Sequence, residues 1–492
     1  MKVAAALVAV IGLVACTKSN PKSCLEDGVC SDPQFPFCDT QGTLGGIQGE
    51  CIAVTCEPNS FAECRDHVAV TCNASGDNYS TTTCDRACMP ETNGCQLCTA
   101  NETACTNGTV ATCDGTGEVT ASYACPLGCN DEVRCRELDP SNGLGTYFDQ
   151  TPSPIDLSLS GVTIDTATGT INGAVTIPSF LTTAPDGGAA IRVFVGRHVD
   201  LGNVTVVGGF NQPALAILAT DDLIVSGQVV FAILGGAAGG VNFADCKGGS
   251  AIVFAHLSPA YSVSQGGGGG GFGTSGGNGG TTMGLADPPP PSGGVVSGDA
   301  ELVPLRGGCG GSLTTSGGGA IQLVSQKSIY IGGTIDVRGQ GGIVSEQQTD
   351  VMGTLIHIAT ADGGGAGGGV LLEAPTISFS AVARILATGG SGASREQAGV
   401  SVDDGTPASG APCPSASSTC AQGGSAAGAR PTPFMATDGS NLPSSPQAES
   451  SAGGGGGGMG RIRINTVDAT YQSDMFGTVL GGVTTSGTVT TQ

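Results

Sequence analysis

Short runs of alternating apolar and polar residues recur along the C-terminal two thirds of the chain. With Ile321 as origin, apolar residues stand at offsets 0, 2, 8, 10, 14 and 16, and the same offsets from Leu215 also carry apolar residues. Alternation with a period of two is typical of a strand with one buried face, so each unit predicts three short strands. The first unit comprises Ile321, Leu323, Ile329, Ile331, Ile335 and Val337, and the second comprises Leu215, Ile217, Leu223, Val225, Val229 and Phe231.

Two further units fit after a one-residue adjustment, and two partial copies follow the same pattern. The third unit comprises Ile191, Val193, Val199, Leu201, Val204 and Val206, and the fourth comprises Val370, Leu372, Ile377, Phe379, Ala383 and Ile385. The partial copies are Val253, Ala255, Tyr261 and Val263, and Ile462 with Ile464. Stacked coils of this kind bury a continuous apolar column that one coil cannot bury, which predicts a parallel β-helix or solenoid over residues 155–492. An antiparallel sandwich or barrel is the alternative, in which residues 331–335 would form a tight hairpin.

Long glycine-rich insertions separate these units, at residues 235–240, 266–316, 339–369 and 389–458. The chain contains 85 glycines, with runs of six at 266–271 and 453–458. Because glycine has no side chain and loses much entropy on ordering, the insertions are either flexible loops or polyproline-II-like strands packed against one another. Cys246 and Cys309 flank the second insertion, and Cys413 and Cys420 lie inside the last, so we expect loop-closing disulfides there.

A cysteine-rich region precedes the repeats, at residues 24–135. Its cysteine spacing defines three modules, 24–51, 56–95 and 98–135, of which the last two have nearly the same six-cysteine spacing. Modules of about 40 residues with few large apolar side chains need cross-links, so we expect all of these cysteines to form disulfides. Six cysteines allow fifteen pairings, and spacing alone does not choose among them. The candidates are Cys24, Cys30, Cys38, Cys51, Cys56, Cys64, Cys72, Cys84, Cys88, Cys95, Cys98, Cys105, Cys113, Cys125, Cys129 and Cys135.

Two sharper uses of these cysteines have little support. Cys95 and Cys98 form a CxxC motif, but it spans a module boundary and has no βαβ pattern around it, unlike a redox site. A zinc cluster would need tandem CxxC pairs or nearby histidines, and His67 is the one histidine of this region. A disulfide framework in an oxidising compartment is the better interpretation.

Composition and charge restrict the function further. Only 12% of residues are charged, aromatic residues make up 4%, and tryptophan is absent, which disfavours a helical core and indicates a mainly β protein. The formal net charge is −23. Nucleic acids and anionic lipid surfaces need clustered Lys and Arg, so neither is an expected partner.

The N-terminus has the pattern of a secretory signal. Lys2 precedes a short apolar run that is too short to span a bilayer, which predicts a signal peptide over residues 1–15. The following tetrad, Leu-Val-Ala-Cys, resembles the lipobox of bacterial lipoproteins, which implies that Cys16 is acylated and becomes the new N-terminus. Thr17 rather than Asp follows it, which implies sorting to the outer membrane. Residues 16–23 then form a lipid-anchored tether, and residues 136–154 a linker.

The whole chain resembles myxobacterial-type secreted lipoproteins, through its lipobox, its Cys-rich repeats and its glycine-rich β-helix-like region. The resemblance implies a non-enzymatic protein with a structural or adhesive role, anchored in the outer membrane or at the cell surface of a Gram-negative bacterium. The expected partners are the membrane, through the lipid anchor, and an extracellular polysaccharide or surface protein.

The alternative function is a carbohydrate-active β-helix enzyme, a polysaccharide lyase or hydrolase. Asp221-Asp222 and Arg461-Ile462-Arg463 superficially resemble two elements of the polygalacturonase pattern, but the Asn-Thr-Asp and Gly-His-Gly elements are absent. His198, His256 and His357 lie in or beside predicted strands. The sequence therefore nominates no catalytic residue, no cofactor and no metal ligand.

Overall fold

The computed structural model divides the chain into two compact units, Met1–Cys135 and Arg136–Gln492. Among the residues it describes, no helix combines the length and apolar character needed to cross a membrane. Cys16, Cys98, Cys413 and Cys420 lie outside the described residues. The described residues are 23–24, 28–44, 47–84, 88–89, 94–95, 101–106, 108–115, 119–151, 153–172, 177–183, 189–209, 211–232, 237, 239–240, 246–257, 260–281, 289–312, 315–351, 354–393, 396–397, 436, 438–439, 441, 450–473 and 479–492.

The first unit consists of small antiparallel sheets. β1 pairs with β2, β3 with β4 and β4 with β5, β6 with β7, and β8 and β10 with β9. The strands are β1 (Phe37–Asp39), β2 (Glu50–Ile52), β3 (Phe61–Arg65), β4 (Val68–Cys72), β5 (Tyr79–Thr83), β6 (Cys88–Met89), β7 (Gly94–Cys95), β8 (Thr103–Thr106), β9 (Thr109–Cys113) and β10 (Val119–Ala124).

Disulfides cross-link each of these sheets. In the second module the first cysteine pairs with the third, the second with the fifth and the fourth with the sixth. The third module repeats the last two pairings, with Cα–Cα distances of 6.2 and 5.0 Å. Cys113 is also disulfide-bonded. The described bonds of this unit are Cys24–Cys38, Cys30–Cys51, Cys56–Cys72, Cys64–Cys88, Cys84–Cys95, Cys105–Cys129 and Cys125–Cys135. This density of disulfides indicates an extracellular or otherwise oxidising environment.

Arg65 connects the first two modules of this unit. Its Nη2 lies 3.4 Å from Oδ1 of the buried Asp39, and its Nη1 donates a hydrogen bond to Thr40 Oγ1 at 2.9 Å. The guanidinium also lies 5.1 Å from the centre of the Phe37 ring, within cation–π range. These contacts hold the two modules together by side chains as well as by the chain between them.

The second unit is built on three sheets in which the strands are mostly parallel. Sheet A has the order β15-β16-β19-β24-β29-β34-β37, sheet B the order β12-β17-β20-β25-β30-β35, and sheet C the order β14-β13-β18-β21-β26-β31-β36. The outermost pairs β15–β16 and β13–β14 are antiparallel. From β16 onward, each repeat gives one strand to sheet A, one to sheet B and one to sheet C in turn.

The elements of this unit include one short α-helix, α1 (Thr146–Asp149), which follows a 3-10 turn over Ser141–Gly143. Its strands are β11 (Leu138–Asp139), β12 (Leu157–Leu159), β13 (Val162–Asp165), β14 (Thr170–Asn172), β15 (Ser179–Thr183), β16 (Ala190–Gly196), β17 (Val199–Leu201), β18 (Val204–Val207), β19 (Ala214–Ala219), β20 (Leu223–Val225), β21 (Gln228–Phe231), β22 (Val253–Leu257), β23 (Ala260–Ser264), β24 (Ala320–Ser325), β25 (Ser328–Ile331), β26 (Thr334–Asp336), β27 (Val344–Val351), β28 (Thr354–Ala361), β29 (Gly369–Glu373), β30 (Thr376–Phe379), β31 (Arg384–Leu386), β32 (Glu396–Gln397), β33 (Ser450–Ser451), β34 (Arg461–Thr466), β35 (Gln472–Ser473), β36 (Val479–Gly481), β37 (Val483–Thr488) and β38 (Thr490–Thr491).

The first two repeat units stack in the register that their offsets predict. Leu215 pairs with Ile321, Leu223 with Ile329, and Val229 with Ile335. Apolar residues from all three sheets join in one buried cluster. The apolar periodicity therefore identifies the strands and the core face of these units.

Two predicted alignments are shifted. In the third unit, Leu215 pairs with Arg192 rather than Ile191, so Phe194 enters the central core while Ile191 and Val193 face away from it. β16 is buried on both faces from Ile191 onward. In such a strand apolar residues do not alternate with polar ones, so periodicity does not identify which face points into the central core. In the fourth unit, Ile385 pairs with Ile335, two residues from the predicted match with Ala383.

The partial copy predicted at residues 253–263 is wrong. β22 and β23 pair antiparallel and belong to a separate sheet of order β22-β23-β33-β32. A period of two does not distinguish a hairpin from two successive strands of a coil. The described residues 265–281 that follow contain no third strand. The other partial copy is confirmed, because Ile462 in β34 pairs in parallel with Val370 in β29. A second hairpin, β27–β28, lies within the insertion at 339–369.

The described glycine segments form a packed bundle, which decides between the two sequence-based alternatives for those segments. Successive backbone N–H groups of one chain donate to three different neighbouring segments, the pattern expected for a polyproline-II-like chain with three residues per turn. The bonds run from Gly268 to Gly249, from Gly269 to Gly277 and from Gly270 to Gly364, at 2.8, 2.9 and 2.9 Å. Cys246 and Cys309 form a buried disulfide inside this bundle, with a Cα–Cα distance of 5.8 Å.

Glycine is needed in this bundle because no room exists for a side chain. A Cβ placed on Gly269 would overlap the carbonyl group of Gly456, and one on Gly266 would overlap that of Gly453. Neither position has a positive φ, so the requirement is steric. Backbone hydrogen bonds and close contact thus replace the side-chain packing of an ordinary core.

Residues 136–151 are not the first part of a linker, as the sequence predicts, but pack onto sheet A as a strap. β11 pairs with the C-terminal β38, and α1 packs against β16. Leu138 and Leu144 of this strap are fully buried. The prediction failed because the strap is short and its Pro140 and Asn142-Gly143 are typical of turns, which the strap does contain.

Candidate functional site

The outward face of sheet B carries an in-register set of polar side chains at a repeat corner. Leu223, Val225, Ile329 and Ile331 point into the core, so the residues that alternate with them face away from it. Strand pairing arranges these outward residues in two columns, which we call the polar face. One column contains Ser328 and Thr376 together with Asp156, His198 and Asp222, which directly precede β12, β17 and β20. The other contains Ser158, Asp200, Ile224, Tyr330 and Ser378.

Backbone hydrogen bonds fix the corner where each repeat passes from sheet A to sheet B. Asp221 donates its N–H to the Arg197 carbonyl at 2.8 Å, and Val199 donates to the Asp222 carbonyl at 3.0 Å. The parallel pairing thus continues through the turn. Corner residues of successive repeats lie above one another, as strand residues do.

Charges alternate along this corner. Arg197 donates two hydrogen bonds to Asp156, from Nε to Oδ1 at 2.8 Å and from Nη2 to Oδ2 at 2.6 Å. Lys327 binds Asp221 and Asp222, which belong to the repeat just before its own. Its Nζ lies 3.1 Å from Asp221 Oδ1 and 2.9 Å from Asp222 Oδ2. Each cation therefore bridges to carboxylates contributed by the preceding repeat.

The ion pairs favour the charged form of each carboxyl. The hydrogen bond from Arg197 lowers the pKa of Asp156. Burial raises the pKa of Asp222, but hydrogen bonds from Ser328 and Lys327 outweigh that effect and hold the pKa below its ordinary value. Hydrogen bonds to Asp222 and Asp221 raise the pKa of Lys327. The shifts of Asp156, Asp222 and Lys327 therefore all favour the charged form, in which each group is paired.

His198, Asp221 and Asp222 also meet a geometric requirement for a metal site, since their ligand atoms lie within 4.8 Å of one another. The Lys327 ammonium binds both aspartates and offsets one of their two negative charges. Exposed acidic groups of this kind commonly occur without a metal. The second such group, Cys24, Cys30 and Cys51, consists of cysteines that are bonded in disulfides.

A second polar cluster lies buried beneath the strap and centres on Glu373. Its carboxylate accepts hydrogen bonds from Ser141, Gln322 Nε2 at 2.6 Å and Asn465 Nδ2 at 3.1 Å. Burial raises the pKa of this carboxyl, against the opposing effect of its hydrogen bonds. The strap covers the cluster, which gives it a structural position rather than access to a substrate.

The residues that resemble a polygalacturonase pattern are not brought together. Asp221 and Asp222 bind Lys327, whereas Arg461 donates to the Ser297 carbonyl at 3.1 Å and Arg463 to Asn465 Oδ1 at 2.8 Å. Of the three histidines considered, His198 lies on the corner, and the other two lie in the antiparallel hairpin strands β22 and β28.

Sequence reasoning identified Asp221 and Asp222 but missed their cation and the exposed Tyr330. The signal was present, because Lys327 is six residues after Ile321 and Asp221 is six residues after Leu215. Once two units are aligned by their apolar offsets, equal polar offsets place side chains on the same corner. Comparisons with known protein families, with curated proteins and with solved structures give no match.

Proposed function

We propose that this protein is a non-enzymatic cell-surface lipoprotein with a structural or adhesive role. In this proposal the acyl chains on Cys16 anchor the protein in the outer membrane, and the disulfide-rich modules form a stalk. The repeat region presents its surface to an extracellular polysaccharide or surface protein. The observation that carries it is the combination of a disulfide-bonded first unit with a second unit of three sheets that share one apolar core.

We infer that the three sheets form a parallel β-solenoid. Each repeat contributes one strand to each sheet in the same order, and neighbouring repeats pair in parallel. A sandwich of antiparallel hairpins would instead pair consecutive strands within one sheet. Solenoids offer extended side surfaces, which suits the binding of a long ligand.

The state of the carboxyl groups supports binding over hydrolysis. A glycosidase needs one carboxyl that is protonated at working pH and another that is ionised. Asp156 and Asp222 have lowered pKa values, and Glu373, whose pKa is raised, lies sealed under the strap. The described corner thus presents hydrogen-bond acceptors without a matched general acid.

One observation favours the enzymatic alternative. Asp221, Asp222 and His198 lie together with Lys327 on neighbouring repeats, and carboxylates beside a cation are the kind of group that a carbohydrate-active enzyme uses. The alternative therefore remains a polysaccharide lyase or hydrolase with this corner as its reactive centre.

A combined binding and turnover assay separates the two functions. The full-length protein is applied to a glycan array, and each glycan that binds is then incubated with it and examined for shortened products. Saturable binding without cleavage supports the adhesive function. Cleavage that disappears in both Asp221→Asn and Asp222→Asn would establish the enzyme instead.

The lipid anchor has its own test. Cys16→Ser should move the protein from the membrane fraction to the soluble fraction, because it removes the acylated thiol. Cys24→Ser is the matched control, since it changes a nearby disulfide cysteine and leaves Cys16 in place. Equal membrane association of wild type and Cys16→Ser would exclude the anchor.

A further inference from the structure

Tyr330 is an exposed aromatic residue in the middle of the polar face. Its side chain stands between Ile224 on one neighbouring strand and Ser378 on the other, and 43% of its surface is exposed. A Cβ on Gly332 would lie only 3.0 Å from Tyr330 Cε1, so the ring leans over this glycine. The absence of a side chain at Gly332 lets the ring lie along the sheet and present a flat surface.

The carboxylates of two hydroxyl–carboxylate pairs lie on the rungs that precede Tyr330. Ser328 donates to Asp222 Oδ1 at 2.6 Å, and Ser226 donates to Asp200 Oδ1 at 2.6 Å. Each carboxylate keeps lone pairs beyond the one used by its serine. The rungs are about 4.8 Å apart, so the five rungs carry polar side chains over about 20 Å. This spacing is comparable to the length of one sugar unit in an extended chain.

The charge of the face selects among possible sugar polymers. Asp222 directly precedes the strand next to Tyr330, and Asp200 lies one strand further. The nearby cation, Lys327, is already bound by Asp221 and Asp222. Uronate or phosphate groups would meet uncompensated carboxylates here and be repelled. Uncharged hydroxyl groups can donate hydrogen bonds to the same carboxylates.

We propose that the polar face of sheet B binds a neutral polysaccharide chain laid along the stacking direction, with one sugar ring packed on Tyr330. The apolar C–H face of one hexose packs on the aromatic ring, while hydroxyl groups along the chain donate to Asp222 and Asp200 on the preceding rungs. This inference rests on the proposed adhesive function and specifies the ligand class and the surface. The site needs no movement of the backbone, since rigid strands hold every group.

The test is calorimetric titration of the full-length protein with three hexasaccharides: a neutral β-linked glucan, polygalacturonate and chitosan. Tyr330→Ala should weaken binding of the glucan by about tenfold or more, because an exposed aromatic anchor is lost. Tyr330→Phe should bind within about twofold of wild type, since the ring is kept. Tyr123→Ala is the matched control, because Tyr123 is 52% exposed but belongs to the first unit.

The outcomes test the Tyr330 binding site and the proposed adhesive function separately. Glucan binding that survives Tyr330→Ala overturns the site, while the adhesive function stands. Tighter binding of polygalacturonate or chitosan than of the glucan overturns the neutral ligand class. Cleavage of the glucan by wild type overturns the adhesive function, yet loss of glucan binding in Tyr330→Ala would still support the site. Thermal unfolding at the wild-type temperature confirms that each variant is folded.

Discussion

Ser141 binds Glu373 twice, with its backbone N–H 3.1 Å from Oε2 and its hydroxyl 2.7 Å from Oε1. This contact joins the strap to sheet A across more than two hundred residues of sequence. The side chains that complete the shell, Gln322 and Asn465, are uncharged donors. The carboxylate is thus the shared acceptor on which the strap depends.

Replacing this carboxylate should loosen the strap. Glu373→Gln puts an amide NH₂ among groups that are already donors, so at least one buried donor loses its acceptor. We expect a loss of about 2–4 kcal/mol in the free energy of unfolding, measured by chemical denaturation. Glu137→Gln, an exposed carboxyl of the same strap, should change it by less than about 0.5 kcal/mol. Equal effects of the two variants would contradict this role.

The same carboxyl predicts a pH dependence. Burial raises the pKa of Glu373 in the folded protein above its unfolded value of about 4.3. The folded state therefore holds the proton more tightly, so this contribution to stability is fully present below about pH 4 and is lost as the pH rises through the folded pKa. The stability of wild type relative to Glu373→Gln should fall as the pH rises from 4 toward neutrality. A relative stability that stays constant or increases would show that the folded pKa is not raised.

The sequence predicts those parts of the fold in which one face of a strand is buried. Leu215 and Ile321 reveal their pairing because polar neighbours mark their outward face. Ile191 and Val193 were aligned wrongly because the strap covers the outer face of β16, where these apolar residues lie. Local periodicity does not reveal contacts with a segment that is distant in sequence. For the same reason the sequence does not show that Glu373 is buried, because a charged residue at a strand end is usually exposed.

The candidate site was partly visible in the sequence. Asp221 and Asp222 attract notice as adjacent carboxyls, but the pairing with Lys327 spans 106 residues and depends on the long insertion between the two repeats. Tyr330 falls at an outward position of its strand, which alternation does reveal. What periodicity does not supply is the exposed fraction of that ring or the orientation it takes over Gly332.

A single methyl group should disrupt the glycine bundle. Gly269→Ala places a Cβ against the Gly456 carbonyl, and the neighbouring chain is fixed by its own backbone hydrogen bonds. We expect a loss of about 3 kcal/mol in stability, measured by thermal or chemical unfolding. Gly115→Ala is the control, because its Cβ would meet Asn101 Oδ1 at an ordinary 3.5 Å. Tolerance of Gly269→Ala without loss of stability would mean that the segments are not closely packed.

The Cys246–Cys309 disulfide should stabilise the same bundle by closing a long loop. Its sequence separation is 63 residues, for which the chain-entropy relation gives about 4 kcal/mol. The double variant Cys246→Ala/Cys309→Ala should lose stability of that order. The double variant Cys125→Ala/Cys135→Ala opens a separation of only 10 residues and should lose less, about 3 kcal/mol, in the first unit. Non-reducing peptide mapping of wild type must show the Cys246–Cys309 link, and two free thiols at these positions would refute the pairing.

Lys327→Met should change the titration of Asp222 more than the stability of the protein. Removing the ammonium takes away a hydrogen bond and an attractive charge, so the pKa of Asp222 should rise from its lowered value. Because Lys327 is 57% exposed, the loss in unfolding free energy should stay below about 1 kcal/mol. Carbon-detected NMR of the aspartate carboxyls across acid pH measures the first effect. Arg197→Met is the matched control, which should raise the pKa of Asp156 and leave Asp222 nearly unchanged. An unaltered Asp222 titration in Lys327→Met would show that Lys327 does not lower the pKa of Asp222.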